Sequence, residues 1–170
     1  FSVTNQSHKD FEWIIIDDKS KDTERDKLIN LVSKDERVRL IHNSDNIGAG
    51  ASRNVGLSFF NHEYLAFIDS DDYWDEEFLT KMLVHQAEVG CRLVFSGYRR
   101  FMFDQNSFMS DYSYSGSVDH DLILKGNPIS CLSALMKPDK SFELPRFGRI
   151  KTRNDLVFFY EFLKLYGKGY

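Results

Sequence analysis

The chain has 170 residues, a net charge of −4, 42% apolar and 28% charged residues, enough for one domain with its own core and ordinary for a globular protein. A sequence pI of about 5.7 argues against a general nucleic-acid binder, which carries a basic face. No apolar run approaches the ~18 residues that a membrane-crossing helix needs, and no signal peptide is recognisable.

Two cysteines, Cys91 and Cys131, lie far apart and show neither the clustering of a zinc site nor the spacing of a disulfide framework. They read as free thiols in a reducing compartment. Residues 11–17 include Ile14, Ile15 and Ile16 and stop at a polar cluster, the pattern of a buried parallel strand ending in a loop. A helix follows over residues 23–34, with Leu28, Ile29, Leu31 and Val32 as its apolar face. Residues 38–42 alternate weakly and predict a second strand. A polar, glycine-containing loop at 43–50 leads into a helix over 49–61. Residues 64–68 predict a third strand, running straight into Asp69-Ser70-Asp71-Asp72. Asp75 is the expected N-cap of the next helix, whose face carries Phe78, Leu79, Met82 and Leu83. Residues 92–96 predict a fourth strand.

Strands alternating with helices imply βαβ units and a parallel sheet. After Tyr98 the pattern weakens, and residues 101–116 are aromatic and polar with no clear period. A short helix is expected over 118–125, a strand over 129–136 and a helix over 155–166.

In open α/β sheets the ligand site lies beyond the carboxyl ends of the strands. Both acidic clusters fall there, Asp17-Asp18 after one strand and Asp69 to Asp72 after another. Three carboxylates within four residues repel one another and need water, a cation or basic partners. Hard divalent ions prefer such oxygens and those of phosphate. The alternative is a solvated acidic turn. Asp17 or Asp18 could accept an imide N–H or hold a ribose hydroxyl, or could satisfy local backbone groups. Gly48 and Gly50 open a helix that carries Arg53, suiting an anion at the helix start; tight turns also need glycine, and the spacing is not the dinucleotide fingerprint. Asp155 could be a general base or simply an acidic residue at a helix start. His8, His42, His62, His85 and His120 have no ligand spacing and are taken as surface or core residues.

Residues 7–22, then Asn46-Ile47-Gly48 with residues 51–56, then residues 64–74 resemble the donor-binding half of family 2 glycosyltransferases, which have the GT-A fold. Their joint order carries the resemblance, over residues 2–98 closely and the remainder loosely. It implies an α/β, Rossmann-like, mostly parallel sheet flanked by helices, with residues 1–98 as the donor half and 99–170 as the acceptor-side half, C-terminally incomplete. Asp17 would contact the base of a nucleotide-sugar, expected to be UDP-linked, with Asp18 beside it. Arg53 would lie near base or phosphates. Asp71 would be the direct ligand of Mn²⁺ or Mg²⁺, with Asp69 secondary. Thr152-Arg153-Asn154-Asp155 resembles the basic-polar-Asp segment before the last catalytic helix, which makes Asp155 the base.

The family works by inversion, in one displacement at the anomeric carbon. The resemblance further implies a saccharide or lipid-linked acceptor, no nucleic-acid partner, a cytoplasmic site with peripheral contact to the inner face of the membrane, and a role in surface polysaccharide or lipopolysaccharide assembly. A nucleotide-sugar-binding module without turnover and an Asp69-nucleophile phosphotransferase are the competing readings. Asp72-Tyr73-Trp74 lacks the Thr or Gly that the latter needs. Family members open with an apolar strand and then a helix. Phe1 to Gln6 matches only the tail of that helix, so the sheet is expected to lack its first strand.

Overall fold

The computed structural model describes residues 2–148 and 153–170. Strand β1 (Trp13–Asp17) pairs in parallel with β2 (Val38–His42), Trp13 opposite Val38 and Asp17 opposite His42. Helix α1 (Asp22–Val32) makes the crossover between them. Helix α2 (Ala49–Leu57) starts at Gly48, whose φ of 85° suits a residue without a Cβ. Strand β3 (Leu65–Ala66) is shorter than the sequence pattern suggested, because its pairing with the later strand Ala134–Met136 reaches only these two residues.

Helix α3 (Phe78–Val89) buries Phe78, Leu79, Met82 and Gln86 and ends at left-handed Gly90. Its N-cap position is Glu77, not Asp75. Asp75 acts one step earlier: its carboxylate accepts the Glu77 N–H at 3.1 Å and its carbonyl accepts the Phe78 N–H at 3.0 Å. Strand β4 (Leu93–Phe95) follows.

The stretch with no clear period contains a small hairpin, β5 (Phe101–Met102) against β6 (Ser107–Phe108), turned through left-handed Asn106. Its pairing is antiparallel and its aromatic rings stay largely outside, so neither a two- nor a 3.6-residue burial period marks it. Helix α4 (His120–Lys125) is capped by Asp119, which accepts the Leu122 N–H at 2.8 Å. Only the last part of the strand expected over 129–136 is extended. Cys131–Ser133 is a 3₁₀ turn, and β7 is Ala134–Met136. Helix α5 (Asn154–Tyr166) closes the order.

Strand β7 lies between β3 and β4 and is antiparallel to both. This three-stranded sheet is walled on two sides. Leu93, Phe95, Ala134 and Met136 join the cluster of Phe158, Phe159 and Phe162 from α5. Val94 and Leu135, of opposite parity, join Phe78, Leu79 and Met82 from α3. The last residues extend it: the Phe95 N–H donates to the Tyr170 carbonyl and the Tyr170 N–H to the Leu93 carbonyl. The β1–β2 pair is a separate sheet. Its residues Trp13 to Ile16 are only half-buried, and α1 has no buried residue. The parallel arrangement is therefore confined to this pair among the described residues, and β1–β2 is not hydrogen-bonded to the β3-β7-β4 sheet.

Candidate nucleotide and metal site

The carboxyl end of β1 is held by polar bonds. Asp17 is buried, with its Oδ1 accepting the Ser20 N–H at 2.9 Å and its Oδ2 lying 2.8 Å from His42 Nδ1 at the end of β2. Arg25 Nε of α1 stands 3.6 Å from the same Oδ2. Burial raises the Asp17 carboxyl, but the Ser20 and His42 bonds outweigh it and hold its pKa at about 2. Asp18 clamps the loop that opens α2. Its Oδ1 accepts the Ile47 N–H and the Asn43 amide, each at 2.9 Å, and its Oδ2 accepts the Gly48 N–H at 2.7 Å. Burial again works upward, and these donors bring Asp18 below the usual carboxylate range. Both acids thus also perform the local backbone role weighed for them above, and Asp18 Oδ1, with two donors, is already saturated.

From α2, Arg53 reaches across to the end of β3. Its Nη2 sits 2.5 and 2.7 Å from the two Asp69 oxygens, and its Nη1 donates to Asn154 Oδ1 at 3.2 Å. The guanidinium lies over the Phe147 ring, 5.2 Å from its centroid. Burial works against the Arg53 charge, and the bond to Asp69 with the charges of the Asp69 and Asp155 carboxylates works for it. Asp71 is exposed. Asp72 is pushed up by burial and then by its neighbours Asp69 and Asp71, the crowding expected of three carboxylates in four residues. Trp74 anchors the turn beneath, donating to the Leu132 carbonyl at 2.7 Å and stacking on Phe78.

One cavity of about 940 Å³ is lined by Asp17, Asp18, Arg53, Asp69 and Asp71, so acids far apart in sequence share a wall. Asp155, in the first turn of α5, does not line it but lies within electrostatic reach of Arg53 and Cys131. Lys151 and Thr152 of the basic-polar-Asp segment lie outside the described residues. Among those described, no three His, Cys, Asp or Glu side chains are grouped to hold an ion by themselves. The acidic turn still fits a hard divalent ion, since Mg²⁺-type sites take one or two carboxylates and complete their shell with phosphate and water oxygens. Asp71 is the freer donor, because Asp69 is already paired with Arg53.

Three residues of the site have no role of their own assigned by the sequence pattern. Asn154 is one, although buried Gly50 points to it: a Cβ at Gly50 would meet Asn154 Nδ2 at 2.8 Å. Phe147 is another, lying under Arg53 from a segment without period. Cys131 is the third. It is buried near Arg53, Asp69, Asp72 and Asp155, and burial pushes its thiol up to about 12, which makes it inert.

The model of the family described as Glycosyl transferase family 2 matches residues 1–154. TuaG of Bacillus subtilis, named for teichuronic acid biosynthesis, is 34% identical over 163 residues, 96% of this chain and 64% of the relative. WfgD of Escherichia coli, named a UDP-Glc:alpha-D-GlcNAc-diphosphoundecaprenol beta-1,3-glucosyltransferase, is 26% identical over 135 residues, 79% of this chain and 52% of the relative. The chain thus spans less than two thirds of these relatives' length. A crystal structure of S. aureus TarS with UDP superposes with a TM-score of 0.73 at 20% identity, over 92% of this chain and 47% of that one. The mannosyltransferase PcManGT of Pyrobaculum calidifontis, solved with GDP-Man and Mn²⁺, gives 0.62 at 14% identity, over 87% and 42%.

Proposed function

The chain belongs to glycosyl transferase family 2, and from that premise we propose that it carries the core of an inverting transferase moving a sugar from a UDP-linked donor to a hydroxyl acceptor. The observation that carries this is the cavity that joins the Asp17-Asp18 strand end to Arg53, Asp69 and Asp71. Residues 1–98 act as the donor half and residues 99–170 as the acceptor-side half. Asp17 and Asp18 lie at the base end of the donor. The Arg53 guanidinium, fixed by Asp69, Asn154 and Phe147, faces the diphosphate. Asp71, with Asp69 behind it, holds Mn²⁺ or Mg²⁺, which when bound neutralises charge on the diphosphate.

Asp155 takes the acceptor proton as the acceptor oxygen bonds to the anomeric carbon and the bond from that carbon to the phosphate oxygen breaks. The diphosphate leaves with the electron pair, and the anomeric configuration inverts. The UDP-bound TarS structure and the named donor of WfgD support the choice of UDP. The named acceptor of WfgD supports a lipid-linked saccharide, and hence work at the cytoplasmic face of a membrane in surface polysaccharide assembly. Among the described residues no helix is long and apolar enough to cross a membrane.

Calorimetric titration of UDP with and without Mn²⁺ tests the donor reading. Metal-dependent binding is expected, and metal-independent binding would sink the role of Asp71. Asp155→Asn is expected to keep UDP affinity while transfer falls by about 10²–10⁴-fold. Unchanged transfer would remove Asp155 as the base.

A further inference from the structure

The two acids at the end of β1 are met by two consecutive residues at the end of β2. His42 Nδ1 lies 2.8 Å from Asp17 Oδ2, and the Asn43 side-chain amide donates to Asp18 Oδ1 at 2.9 Å. The Asn43 N–H also donates to the Asp17 carbonyl at 2.9 Å. The parallel register sets Asp17 opposite His42, so their side chains share one face. A carboxylate only accepts, so the imidazole Nδ1 carries the hydrogen and donates it. Histidine spacing gave His42 no role, because its partner is 25 positions away and only the strand pairing brings the two together.

The Asp17 side chain has no exposed area, whereas that of His42 is 39% exposed. Asp17 and Asp18 line the cavity, and His42 and Asn43 stand outside its lining. The histidine is therefore behind the acid and acts on the cavity through it. What it holds is a turn under strain. Asp17 Oδ1 accepts the Ser20 N–H at 2.9 Å and closes the turn over residues 17–20, in which Lys19 takes a left-handed φ of 66°. A lysine keeps that conformation only where its surroundings over-determine it. Asp18 lies in the same turn, and its oxygens fix the Ile47 and Gly48 amides that open α2. Arg25 Nε, 3.6 Å from Asp17 Oδ2, is beyond hydrogen-bond reach, and the imidazole makes the bond there.

We infer that His42 is a positioning residue for the base half of the donor site: through the Asp17 carboxylate it holds the strained 17–20 turn in the shape that presents Asp18 and the α2 loop to a nucleoside. The inference rests on the donor reading above and adds to it a residue that does not touch the ligand. Without the imidazole, the buried Asp17 carboxylate is short of a donor and rotates to find another, which releases the turn. The diphosphate end is held separately, by Arg53 against Asp69, Asn154 and Phe147. Loss of His42 is therefore felt by ligands that carry a nucleoside and not by a diphosphate alone.

The test titrates the chain with three probes: UDP with Mn²⁺ and pyrophosphate with Mn²⁺ by calorimetry, and uridine by NMR shift changes. In His42→Leu, the affinities for UDP and uridine should both fall by about tenfold, while that for pyrophosphate stays within about twofold. His42→Asn places an amide N–H at the same remove from Cβ as Nδ1 and should recover both nucleoside ligands to within about threefold. Wild-type affinity for uridine in His42→Leu would overturn the inference. So would an equal loss for pyrophosphate, which marks general loosening, or an Asn variant as weak as the Leu variant. Should His42→Leu not fold, the wild type decides: uridine, and not pyrophosphate, should shift the His42 ring nitrogen resonances, and an unmoved ring overturns the inference. A wild type that binds none of the three probes ends the donor reading and this inference with it. A wild type that binds them without the split between variants ends this inference alone.

Discussion

The two sheets of the molecule are held by different forces. In the β3-β7-β4 sheet, all six residues of β4 and β7 are buried, and the rings of Phe158, Phe159 and Phe162 are fully inaccessible. In the β1–β2 sheet, the isoleucines of β1 are half-exposed, and cohesion comes from polar ties: Asp17 to His42 and Ser20, and Asp18 to the Ile47 and Gly48 amides. Burial of an apolar side chain contributes about 1.5–3 kcal/mol, whereas a typical net hydrogen bond contributes about 0.5–1.5 kcal/mol. The first sheet thus sits at the looser end of the structure, and it is the sheet that carries half of the candidate nucleotide site.

The largest expected effect tests that contrast directly. Phe158→Ala removes a ring that stacks on Phe147 at 4.4 Å between centroids and touches Phe67, Phe159 and Phe162 edge- or face-on. It should cost about 3–5 kcal/mol, read as a drop in the urea midpoint. Ile15→Ala, in the half-exposed strand, should cost about 1–2 kcal/mol. Equal costs would show that β1 is packed as tightly as the second sheet, and would break the comparison.

The same contrast explains what could be read from residues alone. Strand β1 announces itself by an apolar run, β2 by a weak alternation, and helices α1, α2, α3 and α5 by their apolar periods. The acidic ends of β1 and β3 were legible for the same reason: a polar cluster that follows an apolar run is a strand end. The direction of β7 was not legible. Ala134, Leu135 and Met136 are apolar on both faces, and a strand buried on both faces has no alternation to orient it. Nor was the pairing of Arg53 with Asp69 and Asn154, since three residues separated by up to 101 positions meet only when α2, β3 and α5 converge. The 3₁₀ turn at Cys131–Ser133 hid within an apolar run because Ser133 closes a bond with Ser130 instead of continuing the strand.

A second, smaller effect sharpens the account of the polar sheet. The Asp17 carboxyl is held at about 2 against an ordinary value of 3.8. Its stabilisation is therefore fully present above the unfolded value and is lost as pH falls through the folded one. The window runs from about pH 4 to pH 2, and the magnitude is about 2 kcal/mol. The β1 and β2 amides should lose protection in that window while those of Val94 and Leu135 keep it. Asp17→Asn should abolish the difference in pH response. If both sheets loosen together on acidification, Asp17 is not what holds the first one.

The smallest effect concerns the seam between α2 and α5. Gly50 lies in the first turn of α2, where alanine would raise helix propensity by up to about 1 kcal/mol, less so near a helix end. A Cβ there, however, would meet Asn154 Nδ2 at 2.8 Å, closer than real Cβ contacts come. Asn154 is a flexible side chain and can move, but moving breaks its bond to Arg53. Gain and loss are of similar size, so Gly50→Ala alone should change stability by less than about 1 kcal/mol. The information is in the cycle with Asn154→Ala. With Asn154 truncated the clash is gone, and Gly50→Ala should then be stabilising, giving a coupling of about 0.5–1 kcal/mol between the two positions. Denaturant unfolding of the four proteins measures it. Additive costs would mean that Asn154 is not held against α2, and that Arg53 is fixed by Asp69 and Phe147 alone. A positive coupling would make Asn154 the link that ties the start of the Asp155 helix to the arginine of the donor half.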